Sequence, residues 1–225
     1  LGLDCVVLER DATPSGSSAL SSGFIPAALT RLQKSLGIDD SYELLAKDIQ
    51  VKAHHEAPEH LVRAYVHAAT EAIDALEAHG LPFEIVRGFL YPGHSVERMH
   101  SMPERTGEAL MARLIKLANE RGADILGEAL VRELWVNAQD RVIGVGYQRP
   151  DGSLEHLAFE QLVLACNGFG GNNAMVRELI PEIGDATFAG HTGNDNPVYI
   201  QYVMDWLATN AADIAIAAYF ARESQ

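Results

Sequence analysis

Near the start of the chain, Cys5-Val6-Val7-Leu8-Glu9 is an unbroken apolar run that ends in a carboxylate, followed by the small residues Ser15-Gly16-Ser17-Ser18 and Ser21-Ser22-Gly23. A run without polar alternation suits a strand covered on both faces, the setting of a parallel sheet in an α/β fold. The carboxyl ends of such strands form the edge on which doubly wound sheets bind nucleotides. Glu9, with Arg10 beside it, stands at that end and is placed to accept hydrogen bonds from ribose hydroxyls. Each such charge-assisted bond is worth about 1.5–3 kcal/mol. The loop from Ser15 to Gly23 has little side-chain bulk. The backbone N–H groups and hydroxyls of Gly16, Ser17, Ser18, Ser22 and Gly23 can therefore approach a pyrophosphate, and the apolar residues resuming at Phe24 and Ile25 predict a helix N-terminus there. Taken alone, a Ser/Gly-rich loop after a strand describes a solvated turn just as well.

A matching feature lies near the other end. Gln161-Leu162-Val163-Leu164-Ala165-Cys166 reads as a second apolar strand that empties into Asn167-Gly168-Phe169-Gly170-Gly171-Asn172. A doubly wound sheet places both turns on one carboxyl edge, which adds Asn167 and Gly168 to the candidate nucleotide-binding residues.

The segments VVLER, SGSSALSSGFIPAA, PGHSVERMH and LACNGFGGN, in this order and spacing, resemble the flavoprotein family of FAD-dependent fumarate reductases and succinate dehydrogenases, with relatives that dehydrogenate small acids or ketosteroids. The similarity spans residues 1–195. It implies an α/β, Rossmann-like FAD-binding domain of the glutathione-reductase-like kind, with a three-stranded β-meander and helical insertions, whose first βα unit with its GxGxxG turn is missing before Leu1. It implies FAD as cofactor, with Glu9 on the adenosine ribose and the small-residue loop on the pyrophosphate. A backbone group of Val131 at the start of the meander would touch adenine, and Asp195 would approach the cofactor from a helix start. The reaction implied is hydride transfer between flavin N5 and a carbon of a small dicarboxylate or an enone, the proton being moved by an Arg or Tyr that lies beyond this chain. Residues 1–195 would then be a partial FAD-binding domain, and 196–225 a helical tail at the start of the capping region. Two departures stand out: Ser15 occupies a position where Gly is usual, and Asn196-Pro197 follows Gly193-Asn194-Asp195 in place of the expected Gly. The competing reading is a non-catalytic remnant, or a subunit whose fold and FAD site a partner chain completes. An NAD-binding domain without flavin ranks lower, because its GxGxxG turn is lacking.

Composition narrows the classes of partner. With 17 basic against 31 acidic residues the formal net charge is −14, which opposes nonspecific binding of nucleic acid or anionic membrane. The hydrophobic share of 48% with 21% charged residues over 225 residues suits one soluble α/β domain. Cys5 and Cys166 both fall in expected core strands as free thiols, which fits a reducing cytoplasm. No apolar run approaches a membrane-spanning length.

Between the two turns, the pattern predicts helices over 24–36, 42–54, 58–79 and 103–121, with Asp39, Asp40 and Ser41 available to cap the second. In the third, Leu61, Ala64, Tyr65, Ala68, Ala72, Ile73 and Leu76 recur at helical spacing and form the expected buried face. His54, His55, His60 and His67 lack the tight i, i+4 spacing of a metal site and read as exposed polar positions. A short strand over 82–86 leads to Tyr91–His100, where Arg98 with His94 and His100 could form a cationic cluster beside a flavin or a carboxylate substrate. The other reading is a structural loop in which Arg98 pairs with Glu97 or Glu104. After the helix over 103–121, a parallel strand over 123–126 precedes a meander over 130–136, 142–148 and 154–159, and a short helix runs from 172 to 179.

Overall fold

The computed structural model describes residues 4–166 and 172–184; Asn167, Gly168 and Asp195, together with the tail over 196–225, lie outside the described residues. The chain divides into two compact units, one drawn from the described residues of Leu1–Ser17 and Ile115–Gln225, the other from Ser18–Leu114.

In the first unit, β1 (Val6–Leu8) pairs in parallel with β5 (Asp124–Leu126), in the register Val6 to Asp124 and Leu8 to Leu126. Backbone bonds continue past the strand ends: Glu9 N–H donates to Leu126 O at 2.9 Å, and Ala129 N–H donates to Glu9 O at 2.8 Å. The meander follows as expected, with β6 (Leu130–Val136), β7 (Val142–Gln148) and β8 (Leu154–Ala158) in antiparallel order. Ala129, Val145, Tyr147 and Phe159 are buried, and Leu8, Leu126, Val131 and Leu162 pack against them. The alternation along β7 and the apolar ends of β1 and β5 thus share one core.

The segment 161–166 departs from the expected strand. Leu162 packs on the core, but 161–165 has no regular structure, because its backbone finds no ladder partner among the described residues. Cys166 is accordingly exposed, and Cys5 is half-buried just before β1; neither is a core-strand residue. The helix after the second turn is α6 (Asn173–Leu179), capped by the Asn172 side chain on Met175 N–H at 3.1 Å.

In the second unit, α3 (Tyr42–Lys52) and α4 (Glu59–Ala78) pack around Ala28, Leu45, Val62 and Val66. Ser41 caps α3 through Leu44 N–H. The buried face of α4 is Val62, Val66, Ala69, Thr70 and Ile73. This frame is turned by one residue from the expected one: Leu61 and Tyr65 are at its exposed rim, and Thr70 sits inside an otherwise apolar stripe. A short antiparallel sheet orders β2 (Ile25–Pro26), β4 (Met99–Ser101) and β3 (Glu84–Ile85).

The helix expected over 24–36 is therefore mostly absent. Gly23 has a positive φ of 64°, Pro26 offers no N–H, and Leu29 takes φ 58°, which is uncommon for a leucine. Only α2 (Arg31–Ser35) is helical, started by a capping box in which Thr30 and Gln33 satisfy each other's backbone N–H. The small-residue loop instead winds its own turn, α1 (Gly16–Leu20), and the helix expected from Pro103 begins later, as α5 (Gly107–Glu120).

Candidate functional site

Glu9 follows the last residue of β1, half-buried. Its Oε1 accepts Asp11 N–H at 2.9 Å, while Oε2 has no partner among the described residues. One oxygen therefore shapes the turn and the other remains available to a ligand hydroxyl. Arg10 Nε donates to Asp11 Oδ1 at 3.2 Å, so its charge is directed along the same turn. Asp11 O accepts Glu128 N–H at 2.9 Å, and a Cβ on Gly127 would stand 2.5 Å from Ala12 O. The turn after β1 thus lies directly against the turn after β5, an approach only glycine permits. Val131, second residue of β6, faces Tyr147, and the ladder register shifts between Val131 and Glu133.

Gly16 begins α1 with φ 55°. Ser17 Oγ is buried without a hydrogen-bond partner among the described residues. A buried hydroxyl without a partner is destabilising, by about 1–3 kcal/mol, unless a ligand or water completes it. Together with the open oxygen of Glu9, it is what this unit offers a nucleotide cofactor, and both groups fit one.

In the second unit, Ser18 and Ser22 are exposed, whereas Gly23 is buried. The loop is tightly built: Ser21 Oγ donates to Ser18 O at 2.7 Å and accepts Gly23 N–H at 3.0 Å, and Gly107 N–H donates to Ser21 O at 2.7 Å. A Cβ on Gly107 would stand 1.8 Å from Ser18 O, and one on Gly23 would stand 3.0 Å from Thr106 O. The start of α5 therefore seats the loop by direct backbone contact, and both glycines are required by close approach.

Arg98 is not a free cation beside this loop. It is fully buried, and its guanidinium forks onto Asp40, Nε to Oδ2 at 3.0 Å and Nη2 to Oδ1 at 2.9 Å, while Nη1 reaches Asp48 at 2.7 Å. Its partners are thus Asp40 and Asp48 rather than Glu97 and Glu104, which pair with Arg87 and Arg113. Asp40, expected at a helix cap, is drawn into this pair. Burial pushes the Asp48 carboxyl up, but the Ser95 hydroxyl and amide, with Arg98, outweigh it and hold its pKa below the usual carboxylate value. His100 is fully buried and His94 partly so; burial lowers both imidazoles, which favours the neutral ring. The expected cationic cluster is therefore a charge-compensated structural network. Asp40 and Asp48 escaped the sequence reading because their partner lies 58 and 50 positions away.

The chain matches the family described as "FAD binding domain" over residues 1–201. It is 27% identical over 194 residues to NADH:fumarate oxidoreductase of Klebsiella pneumoniae (strain 342), covering 85% of this chain and 21% of that protein. It is 28% identical over 188 residues to urocanate reductase of Eggerthella lenta, covering 81% of this chain and 30% of that one. Among solved structures, the open conformation of a flavocytochrome c3 fumarate reductase superposes with a TM-score of 0.78 at 21% identity, over 90% of this chain and 40% of that chain. The chain thus spans well under half the length of these relatives. The family match covers most of the chain, from the β1–β5 pair through the meander, and this chain belongs to the FAD binding domain family.

Proposed function

We propose that this chain is the FAD-holding part of a flavin-dependent oxidoreductase that reduces or forms a carbon–carbon double bond in a small molecule. In the first unit we assign Glu9, Arg10, Gly16, Ser17 and Val131 to the cofactor; in the second, Ser18, Ser22 and Gly23. Asn167, Gly168 and Asp195 are assigned on sequence resemblance alone. The observation that carries this reading is the pairing of an orphaned buried hydroxyl at Ser17 with a half-used carboxylate at Glu9, on a chain of this family.

FAD, when bound, supplies hydride transfer at N5. The residues of this chain would bind and orient: Glu9 Oε2 would accept ribose hydroxyls, Ser17 Oγ would gain the hydrogen bond it lacks, and the exposed Ser18 and Ser22 would contact the pyrophosphate. Among the described residues, none is assigned a proton transfer; Arg98 and His100 are committed to structure. Fumarate and urocanate, named in the relatives' descriptions, each place a double bond beside a carboxylate, which favours an unsaturated carboxylate over an enone. A cytoplasmic setting fits the two free thiols; no helix among the described residues is long and apolar enough to cross a membrane.

The test is anaerobic: the flavin of the full-length protein that carries this chain is reduced, then mixed with fumarate, urocanate or a ketosteroid enone, and its reoxidation is followed by absorbance. Reoxidation by an unsaturated acid supports the reading; no reoxidation by any of the three rejects it. A second reading, that a partner chain completes the FAD site, is favoured by one observation: β1 has a single ladder partner among the described residues.

A further inference from the structure

The segment that leaves the small-residue loop, residues 25–30, is held by side chains that reach it from distant elements. Tyr65 OH on α4 donates to Pro26 O at 2.7 Å. Thr70 Oγ1, one and a half turns further along the same helix, donates to Ala28 O at 2.6 Å. In an extended segment, carbonyls two residues apart point to the same side, so α4 takes the row formed by Pro26 and Ala28. The opposite row goes to β4. There Ala27 N–H donates to Arg98 O at 3.1 Å, and His100 Nδ1 lies 3.3 Å from Ile25 O and 3.0 Å from Arg98 O.

Two carbonyls face Nδ1, so that nitrogen carries the proton. His100 Nε2 is then an acceptor, and Thr30 Oγ1 donates to it at 2.9 Å while accepting Gln33 N–H at 3.1 Å. The imidazole thus ties the entry of the segment at Ile25 to its exit at Thr30. Ala27 and Ala28 are fully buried. Between them and Thr30, Leu29 is held at φ 58°, a conformation that persists only where its surroundings over-determine it. Tyr65 is 39% exposed, so its ring contributes little to the core, yet its hydroxyl spans 39 positions to one carbonyl.

We propose that Tyr65, Thr70 and His100 are positioning residues for the cofactor loop: they fix the backbone immediately after Gly23 and thereby set the affinity for FAD without touching it. The inference rests on the reading that residues 16–23 hold FAD. It extends that reading to side chains on α4 and β4 that have no part in the loop itself.

The experiment uses the full-length flavoprotein carrying this chain, stripped of flavin and titrated with FAD by fluorescence. The variant is Tyr65→Phe with Thr70→Val, which removes two hydroxyls and keeps both shapes. Loss of two hydrogen bonds that act on the loop predicts FAD binding weaker by about tenfold. It also predicts faster amide hydrogen exchange at residues 21–29 in the flavin-free protein. Restoring a hydroxyl with Thr70→Ser in place of Thr70→Val recovers part of the affinity. Ile73→Ala, buried on α4 outside the core cluster that contains Ala28, is the control for general destabilisation and is expected to lower the melting temperature with little change in affinity. Wild-type affinity in the double variant overturns the proposal, as does an affinity loss equal to that of Ile73→Ala. The reading beneath it fails separately: if Glu9→Ala and Gly23→Ala leave FAD binding unchanged, the loop is not the site at all.

Discussion

Arg98 and Asp40 form a two-bond ion pair with neither side chain exposed to solvent, and Asp48 on α3 adds a second carboxylate to the same guanidinium. The pair joins the residue just before β4 to the connection between α2 and α3, and Gln33 Nε2 adds a bond of 2.9 Å to the same Asp40 carboxylate. Removing the cation leaves the Asp40 and Asp48 carboxylates without compensation. Arg98→Met is therefore expected to destabilise the protein by about 3–5 kcal/mol, whereas a triple change of Arg98, Asp40 and Asp48 to apolar residues is expected to recover much of that. Urea denaturation of the three proteins measures both; equal stability of Arg98→Met and wild type would show that the buried pair contributes nothing.

Gly107 supports the small-residue loop through its lack of a side chain. Because a Cβ there would lie 1.8 Å from Ser18 O, Gly107→Ala forces the loop or the start of α5 to move. Such overpacking is expected to destabilise by about 1–3 kcal/mol. Hydrogen exchange should localise the change to residues 18–24, and FAD affinity should fall with it. Unchanged exchange in that stretch would mean that the backbone contact is not constraining.

Stability is expected to fall with acid in two stages. Burial lowers His100 and His94, so the folded state binds fewer protons than the unfolded chain once pH drops below the ordinary histidine value of about 6.5. Their contribution is present above that pH and is lost as pH falls from there toward the depressed folded values. For Asp48 the net shift is also downward, with burial opposed by Ser95 and Arg98, so its contribution is present above the unfolded carboxylate value of about 3.9 and is lost below it. Denaturation midpoints measured from pH 7.5 to pH 3 should show both slopes, and His100→Gln should flatten the upper one. An upper slope unchanged in His100→Gln would assign it elsewhere.

Much of the fold was legible because its signals are local. The apolar run ending at Glu9, the parallel strand over 124–126 and the meander follow from hydrophobic patterning and turn residues, and their observed bounds agree closely with the expected ones. The helix expected over 24–36 was not, because Gly23, Pro26 and the left-handed Leu29 outweigh its apolar spacing, and only the Thr30–Gln33 capping box marks where helix begins. The strand expected over 161–166 has the right composition but lacks a ladder partner among the described residues, which no local pattern reveals. For α4, two apolar frames one residue apart compete, and the choice between them is made by what α3 and residues 25–30 offer. Of the candidate site, Glu9 and the small-residue loop were visible as types and order. The clamp by Tyr65, Thr70 and His100, and the Arg98 pair, join residues 39 to 75 positions apart and exist only in three dimensions, apart from one local hint: a threonine inside the apolar stripe of α4.

Ser17 offers a narrow test of the loop. Its buried hydroxyl lacks a partner, so Ser17→Ala is expected to leave the flavin-free protein as stable as wild type or more so, while weakening FAD binding. Thermal melts with and without FAD separate the two effects. Equal stabilisation of both proteins by FAD would remove Ser17 from the cofactor site.

The central claim, that Glu9 and the loop after it hold FAD, is tested most directly by the visible absorption spectrum of the full-length protein carrying this chain, incubated with FAD and then freed of unbound flavin, beside Glu9→Ala treated identically. The account predicts flavin bands that stay with the wild-type protein and an affinity at least about tenfold weaker in Glu9→Ala, the loss expected when charge-assisted hydrogen bonds to a carboxylate disappear. A folded wild-type protein that remains colourless, or a Glu9→Ala protein that retains flavin as wild type does, would contradict it.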